Sequence, residues 1–149
     1  MFKKSLMFLF TMLFTSAFVF GQLAKVDVNA PFPTDDNLVI GQLENGLTYY
    51  IRNNEKPADR AQFWLVVNTG SVMEDANQNG LAHFTEHMCF NGTKNFEKKA
   101  IIHYLQSIGM KFGPEINAFT SHDVTNYMLQ KVPIDNPANI DTSLMILFE

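Results

Sequence analysis

The segment Ala61 to Asn68 (AQFWLVVN) constrains the fold most, because it is a nearly continuous run of apolar, β-branched and aromatic residues. A run of this length and composition predicts a central β-strand that is covered on both faces. A chain of 149 residues is long enough for one domain at most.

Two strand–turn–strand patterns accompany this run. Leu38 to Leu43 and Leu47 to Arg52 flank Asn45-Gly46, a dipeptide typical of tight hairpin turns. Ile116 to Phe119 and Val124 to Val132 predict a second hairpin further along the chain. The sheet is therefore expected to be mostly antiparallel.

Three segments have helical periodicity: Gly80 to Phe90, Glu97 to Ser107 with Gly109 as its stop signal, and Ile140 to Glu149. The first carries an apolar row at helical spacing, formed by Leu81, Phe84 and Met88, and no charged residue apart from Glu86, so this helix is expected to be covered on most sides. The last reaches the end of the sequence without a stop signal. Strands and helices together predict an α+β fold.

The first 21 residues predict a secretory signal peptide. Lys3 and Lys4 precede the apolar run Leu6 to Phe14, and smaller residues lead to a cleavage site between Gly21 and Gln22. The alternative is an uncleaved membrane anchor, for which the run is short. We therefore expect no stable membrane insertion after signal removal.

Charge and cysteine content exclude several classes of protein. With 11 basic and 15 acidic residues and no basic stripe, the chain is not expected to bind nucleic acid. A single cysteine, Cys89, excludes a disulfide scaffold and is expected to have a packing role. A secreted chain without disulfides fits export across the inner membrane into a bacterial periplasm. Residues 22–37 predict an extended lead-in without an assigned function.

The pattern His83-Phe84-Thr85-Glu86-His87 lies in the middle of the first predicted helix. His87 falls about 40° and Glu86 about 60° from His83 around the helix axis, so all three side chains share one side. Two histidines at this spacing can bind one Zn²⁺ ion, which lowers the pKa of a bound water towards about 7. Glu86 could then act as general base. The alternative is a hydrogen-bonded core cluster.

The segment Gly80 to Thr93 (GLAHFTEHMCFNGT) resembles the signature of the inverzincins, the pitrilysin (insulinase-like) zinc metallopeptidases. Asn117 to Thr120 and Thr125 to Tyr127 resemble the second hallmark of that family. The resemblance covers Val39 to Glu149 and is greatest to bacterial secreted zinc proteases. It implies that residues 38–149 form the N-terminal part of a catalytic half-domain, an antiparallel sheet with helices packed on one side, incomplete at its C-terminus.

The resemblance also implies residue roles. His83 and His87 would be Zn²⁺ ligands and Glu86 the catalytic base. A substrate strand would pair along an edge strand, and aromatic side chains would line the pocket for the residue after the scissile bond. The implied substrate-binding residues are Phe90, Asn117, Ala118 and Phe119.

The predicted function is that of a zinc metalloendopeptidase acting on peptides or unfolded proteins. The family's third ligand is a glutamate about 75 to 80 residues after the second histidine, near position 164. A homologous C-terminal half of the same precursor would close the site, so this chain by itself is expected to be an inactive fragment. The alternatives are a non-catalytic binding or assembly subunit and a truncated gene product.

Overall fold

The computed structural model describes residues 35–149. The predicted signal peptide (1–21) and most of the predicted lead-in (22–37) lie outside the described residues. The chain divides into two compact units, of which the first ends at Arg52 and the second runs from Asn53 to Glu149. Each unit is described by itself.

The first unit contains the predicted hairpin. Strands β1 (Leu38–Gln42) and β2 (Thr48–Arg52) are antiparallel. Leu43 N–H donates to Leu47 O at 2.8 Å, which closes a three-residue loop. Gly46 takes the positive φ of 88° that this loop requires, a conformation that glycine adopts without steric cost.

The second unit contains a three-stranded antiparallel sheet formed by β3 (Arg60–Val67), β4 (Ile116–Thr120) and β5 (Thr125–Pro133). The strand order is β3-β5-β4. The strand predicted at Ala61 to Asn68 is confirmed, but its central position is wrong within the described residues. Trp64 on β3 is 54% exposed. The apolar character of a strand does not determine which strands pair with it. Here the longer β5 is the central strand and pairs with β3 on one side and with β4 on the other.

The second unit also contains three α-helices. Helices α1 (Leu81–Met88) and α2 (Ala100–Ser107) lie between β3 and β4 in the chain, and α3 (Pro137–Phe148) follows β5. The third begins earlier than predicted because the Asn136 side chain accepts a hydrogen bond from Ala138 N–H at 3.1 Å and caps its first turn. None of the helices within residues 35–149 has both the length and the apolar character needed to cross a membrane.

The core lies between the helices and one face of the sheet. Its buried members come from α2, β4, β5 and the loop after α2: Ile101, Leu105, Met110, Ile116, Leu129 and Val132. The Tyr104 hydroxyl donates to Asn139 Oδ1 at 3.1 Å and joins α2 to α3. The predicted α+β fold, with an antiparallel sheet and helices packed on one side, is therefore confirmed.

The apolar row of α1 is not covered within the described residues. Leu81, Phe84 and Met88 are 48%, 60% and 45% exposed. Only Glu86 of this helix is buried. The expectation that α1 is covered on most sides is therefore wrong for residues 35–149, because an apolar pattern marks a surface suited to burial without supplying the element that buries it.

Leu105 is completely buried in the core, and Leu144 on α3 is 52% exposed. Leu105→Ala is expected to lower the free energy of unfolding by about 2–5 kcal/mol, since it removes buried methyl groups and leaves a cavity. Leu144→Ala is the matched control and should cost much less. Urea-induced unfolding of the two variants measures the difference. Equal losses would contradict the assigned core.

Candidate metal centre

Helix α1 places His83 and His87 one turn apart, with their imidazole rings facing each other. Their Nε2 atoms lie 3.1 Å apart, the ring centroids are 4.7 Å apart, and the rings are inclined by 52°. Two nitrogen ligands of a tetrahedral Zn²⁺ ion are separated by about 3.3 Å. The two imidazoles therefore converge at a spacing that suits one zinc ion, and both rings are exposed.

The described residues contain no group of three His, Cys, Asp or Glu side chains that could together hold a metal ion. Within residues 35–149 the candidate metal ligands are therefore the two imidazoles of α1, and their role as ligands stays a prediction. The third ligand, expected near position 164, stays a prediction.

Glu86 lies on the same helix but points into the protein. It is only 6% exposed, and its carboxylate accepts a hydrogen bond from the Thr120 hydroxyl at 2.9 Å. A buried ionised carboxylate needs a hydrogen-bond donor or a metal to offset its lost hydration. The Thr120 hydroxyl is such a donor, and it connects α1 to the end of β4.

Tyr127 on β5 contacts the end of α1. Its hydroxyl lies 3.4 Å from Cys89 Sγ. Burial raises the pKa of the Tyr127 phenol, and the neighbouring Cys89 and Glu86 raise it further because they disfavour a second negative charge. Tyr127 is therefore a neutral phenol at physiological pH. The expected packing role of Cys89 is wrong, since this cysteine is exposed.

Strand β4 lies at an edge of the sheet of the second unit. Beyond its end, Ser121 N–H donates to Val124 O at 2.7 Å. Bonded pairs alternate along an antiparallel ladder, so the peptide groups of Asn117 and Phe119 face β5. The N–H and C=O of Ala118, between them, point away from the sheet.

Phe90 and Phe119 lie on opposite faces of this sheet. Phe90 packs against the core cluster and makes an edge-to-face contact with Phe112 at 6.1 Å. Phe119 is 45% exposed and follows the alternation of β4, which puts it on the face opposite Thr120 and α1. A pocket lined by both rings would have to extend around the β4 edge, and this role stays a prediction.

Glu74 is a residue of the site region that the sequence did not single out. Its carboxylate accepts hydrogen bonds from Gly80 N–H at 2.7 Å and Ala82 N–H at 2.8 Å, at the start of α1. These two amides hold the pKa of Glu74 below its usual value. Glu74 lines an open cleft of about 380 Å³ together with His83 and His122. The sequence did contain a signal for this role: helix α1 begins at a glycine, which has no capping side chain, and the loop before it carries the acidic pair Glu74-Asp75.

The two remaining histidines lie in different parts of the second unit. His122 lies in the turn between β4 and β5 and contributes to the same cleft. His103 is an exposed residue of α2, so of the two positions that the sequence left open for it, the helix surface or the core, it takes the surface.

The second unit combines an antiparallel sheet with a helix that carries two paired histidines and a buried glutamate. This combination is typical of the inverzincin class of zinc peptidases. A family model described as Insulinase (Peptidase family M16) matches residues 49–147. The chain therefore belongs to peptidase family M16, and the resemblance stated from its sequence is confirmed.

Individual relatives agree with this assignment. The probable zinc protease PqqL of Escherichia coli (strain K12) is 40% identical over 122 residues, which is 82% of this chain and 13% of that protein. The zinc protease PQQL-like protein of Arabidopsis thaliana is 44% identical over 119 residues, 80% of this chain and 12% of that protein.

The fold is also similar to a solved structure. The crystal structure of the periplasmic protease PqqL from Escherichia coli matches with a TM-score of 0.73 at 41% identity, over 78% of this chain and 13% of that one. The chain thus spans about an eighth of the length of these relatives.

The raised pKa of Tyr127 predicts a late ionisation step. In a difference titration of the protein against Tyr127→Phe, followed by tyrosinate absorbance, the step should lie above that of N-acetyltyrosinamide, near pH 10. The physical reason is that ionisation would place a negative charge in a partly buried site beside Glu86. A step at or below the reference would contradict this environment.

Proposed function

We propose that the protein is a zinc-dependent metalloendopeptidase that hydrolyses peptide bonds in peptides or unfolded proteins. The observation that carries the proposal is the convergence of His83 and His87 on one point, with Nε2 atoms 3.1 Å apart, beside the buried Glu86 of the same helix. Membership of family M16 and the similarity to proteins named zinc proteases support it.

In this proposal the Nε2 atoms of His83 and His87 would hold the metal. A bound Zn²⁺ ion would supply Lewis acidity and lower the pKa of a coordinated water to about 7. Glu86 takes a proton from the attacking water at its carboxylate and later delivers it to the leaving amine. Thr120 keeps the Glu86 carboxylate in one orientation by donating to Oε2. The third ligand is proposed to be a glutamate near position 164.

The open edge of β4 supports substrate binding by strand addition. Ala118 points its N–H and C=O outwards, where an extended peptide can pair with them. The Ala118 N–H donates to Asn117 Oδ1 at 2.9 Å, so the carbonyl of an incoming peptide has to displace the Asn117 side-chain oxygen from this N–H. Phe119 and Phe90 are proposed to contact substrate side chains. Strand addition requires an extended backbone, which favours peptides and unfolded segments over folded proteins.

We further propose that residues 38–149 form the N-terminal part of the catalytic domain and that a homologous C-terminal half of the same precursor completes the active enzyme. The chain matches 13% of the Escherichia coli protease and 25% of its separately crystallised first half. That similar protease is periplasmic. A signal peptide at residues 1–21 would direct this protein across the inner membrane to the same compartment.

Glu86→Gln is the first test, made in the complete product of the gene. The variant is expected to retain zinc and to lose peptide hydrolysis by a factor of about 10²–10⁴ in kcat, because the amide cannot take a proton from water. Zinc content is measured by atomic absorption, and hydrolysis with a quenched fluorescent peptide.

The matched control is Glu97→Gln, which removes the same charge from an exposed glutamate outside α1. It should hydrolyse peptide at the rate of the unaltered protein. Removing the metal with 1,10-phenanthroline should abolish hydrolysis, and added Zn²⁺ should restore it. Undiminished hydrolysis by the Glu86 variant would refute its role as base. Zinc and peptide binding without cleavage in the unaltered protein would instead favour the non-catalytic subunit.

Ala118→Pro tests strand addition. Proline removes the outward N–H but is tolerated at sheet edges, so the fold and the zinc content should be retained. We expect kcat/KM for a peptide substrate to fall at least about tenfold, since one backbone hydrogen bond and the local register are lost. Ala118→Gly retains the N–H and should lose much less activity. Equal losses in both variants would argue against backbone pairing at this residue.

A further inference from the structure

We propose that Glu74 is a positioning residue for the metal site: its carboxylate binds the first amides of α1 and thereby sets the placement of His83, Glu86 and His87. This inference rests on the proposed zinc peptidase function. It assigns to a loop glutamate, outside the H-x-x-E-H pattern, a role in metal binding without direct contact to the metal.

Helix α1 lacks a capping group of its own. Its N-cap is Gly80, which has no side chain, and its first turn contains no acidic residue. The first amides of any helix have no partner within the helix and carry its partial positive charge. The two carboxylate oxygens of Glu74 accept separately from Gly80 N–H and Ala82 N–H. Glu74 therefore supplies from the preceding loop both the acceptor and the negative charge that the helix start needs.

Glu74 is itself held in place. It directly follows the 3-10 turn Ser71–Met73, whose amides bind the turn between β4 and β5: Ser71 N–H donates to Ser121 O at 3.1 Å, and Val72 N–H to His122 O at 2.8 Å. Gly70 makes this approach feasible, because a Cβ there would lie 2.4 Å from Ser121 O.

The same β4–β5 turn begins directly after Thr120, the residue that binds Glu86. Helix α1 is thus attached to one hairpin at two places: its amino end through Glu74 and the 3-10 turn, and its middle through Glu86. One attachment alone would let the helix turn or slide about that point. Two attachments fix the rotation of the helix about its axis and its position along that axis. These two quantities determine where the imidazoles of His83 and His87 lie.

The neighbouring Asp75 offers a matched control. It is exposed, and its hydrogen bonds with Gln78 use its backbone N–H and C=O. Asp75→Asn therefore removes one negative charge from the same loop while leaving the start of α1 unaltered. Glu74→Gln removes the same charge and replaces one acceptor by an NH₂ group, which cannot accept from an amide.

The experiment uses the complete gene product and compares Glu74→Gln with Asp75→Asn. For Glu74→Gln we expect zinc affinity, measured by chelator competition, to fall about 10- to 100-fold, as for other residues that orient metal ligands. Its Co²⁺-substituted form should show altered d–d absorption bands. Hydrogen exchange in residues 80–88 should quicken about fivefold through loss of the cap. Asp75→Asn should change none of these.

Unchanged zinc affinity and Co²⁺ spectrum in Glu74→Gln, or equal changes in Asp75→Asn, would overturn the proposal. If Glu74→Gln does not fold, Glu74→Asp replaces it. Its shorter side chain reaches the first amides of α1 less well, so the variant protein should bind zinc with an affinity between those of Glu74→Gln and the unaltered protein, and unaltered affinity would again overturn the proposal. Failure of the zinc peptidase function would appear separately, as an unaltered protein that neither binds zinc nor hydrolyses peptide.

Discussion

The hydrogen bond from the Thr120 hydroxyl to the Glu86 carboxylate is the contact on which the site depends. It joins the helix that carries the paired histidines to the end of the edge strand proposed to bind substrate. Because Glu86 is buried, its carboxylate depends on such a donor for stability. This one interaction therefore joins α1 to the sheet, orients the proposed base and sets its distance from the strand that is proposed to bind substrate.

Helix α1 divides its side chains according to this contact. Glu86 faces the sheet, whereas the imidazoles of His83 and His87 are exposed at the surface and face each other. A metal site needs ligands that the metal can reach and a base that does not move. The arrangement of α1 fits the proposed site in both respects, because positions i, i+3 and i+4 share one side of the helix yet differ in how deeply they are buried.

Local features were the ones that could be predicted from sequence. Gly46 permits the positive φ of the first hairpin, and the i, i+4 spacing of His83 and His87 brings their rings together wherever the helix lies. The position of β3 within the sheet and the exposure of Phe84 were predicted wrongly. Both depend on which elements pack against them, and the spacing of apolar residues does not specify the packing partner.

The sequence by itself determined the elements of this protein, the spacing of its histidine pair and its family, because each follows from residues close together in the chain. The tertiary structure decided which groups complete the site. Thr120 meets Glu86 across 34 residues, and Tyr127 meets Cys89 across 38. Glu74 reaches Gly80 and Ala82 only because the 3-10 turn docks on the β4–β5 turn. Such contacts depend on how the elements pack, since sequence spacing cannot specify which distant backbone amide or hydroxyl a carboxylate will find.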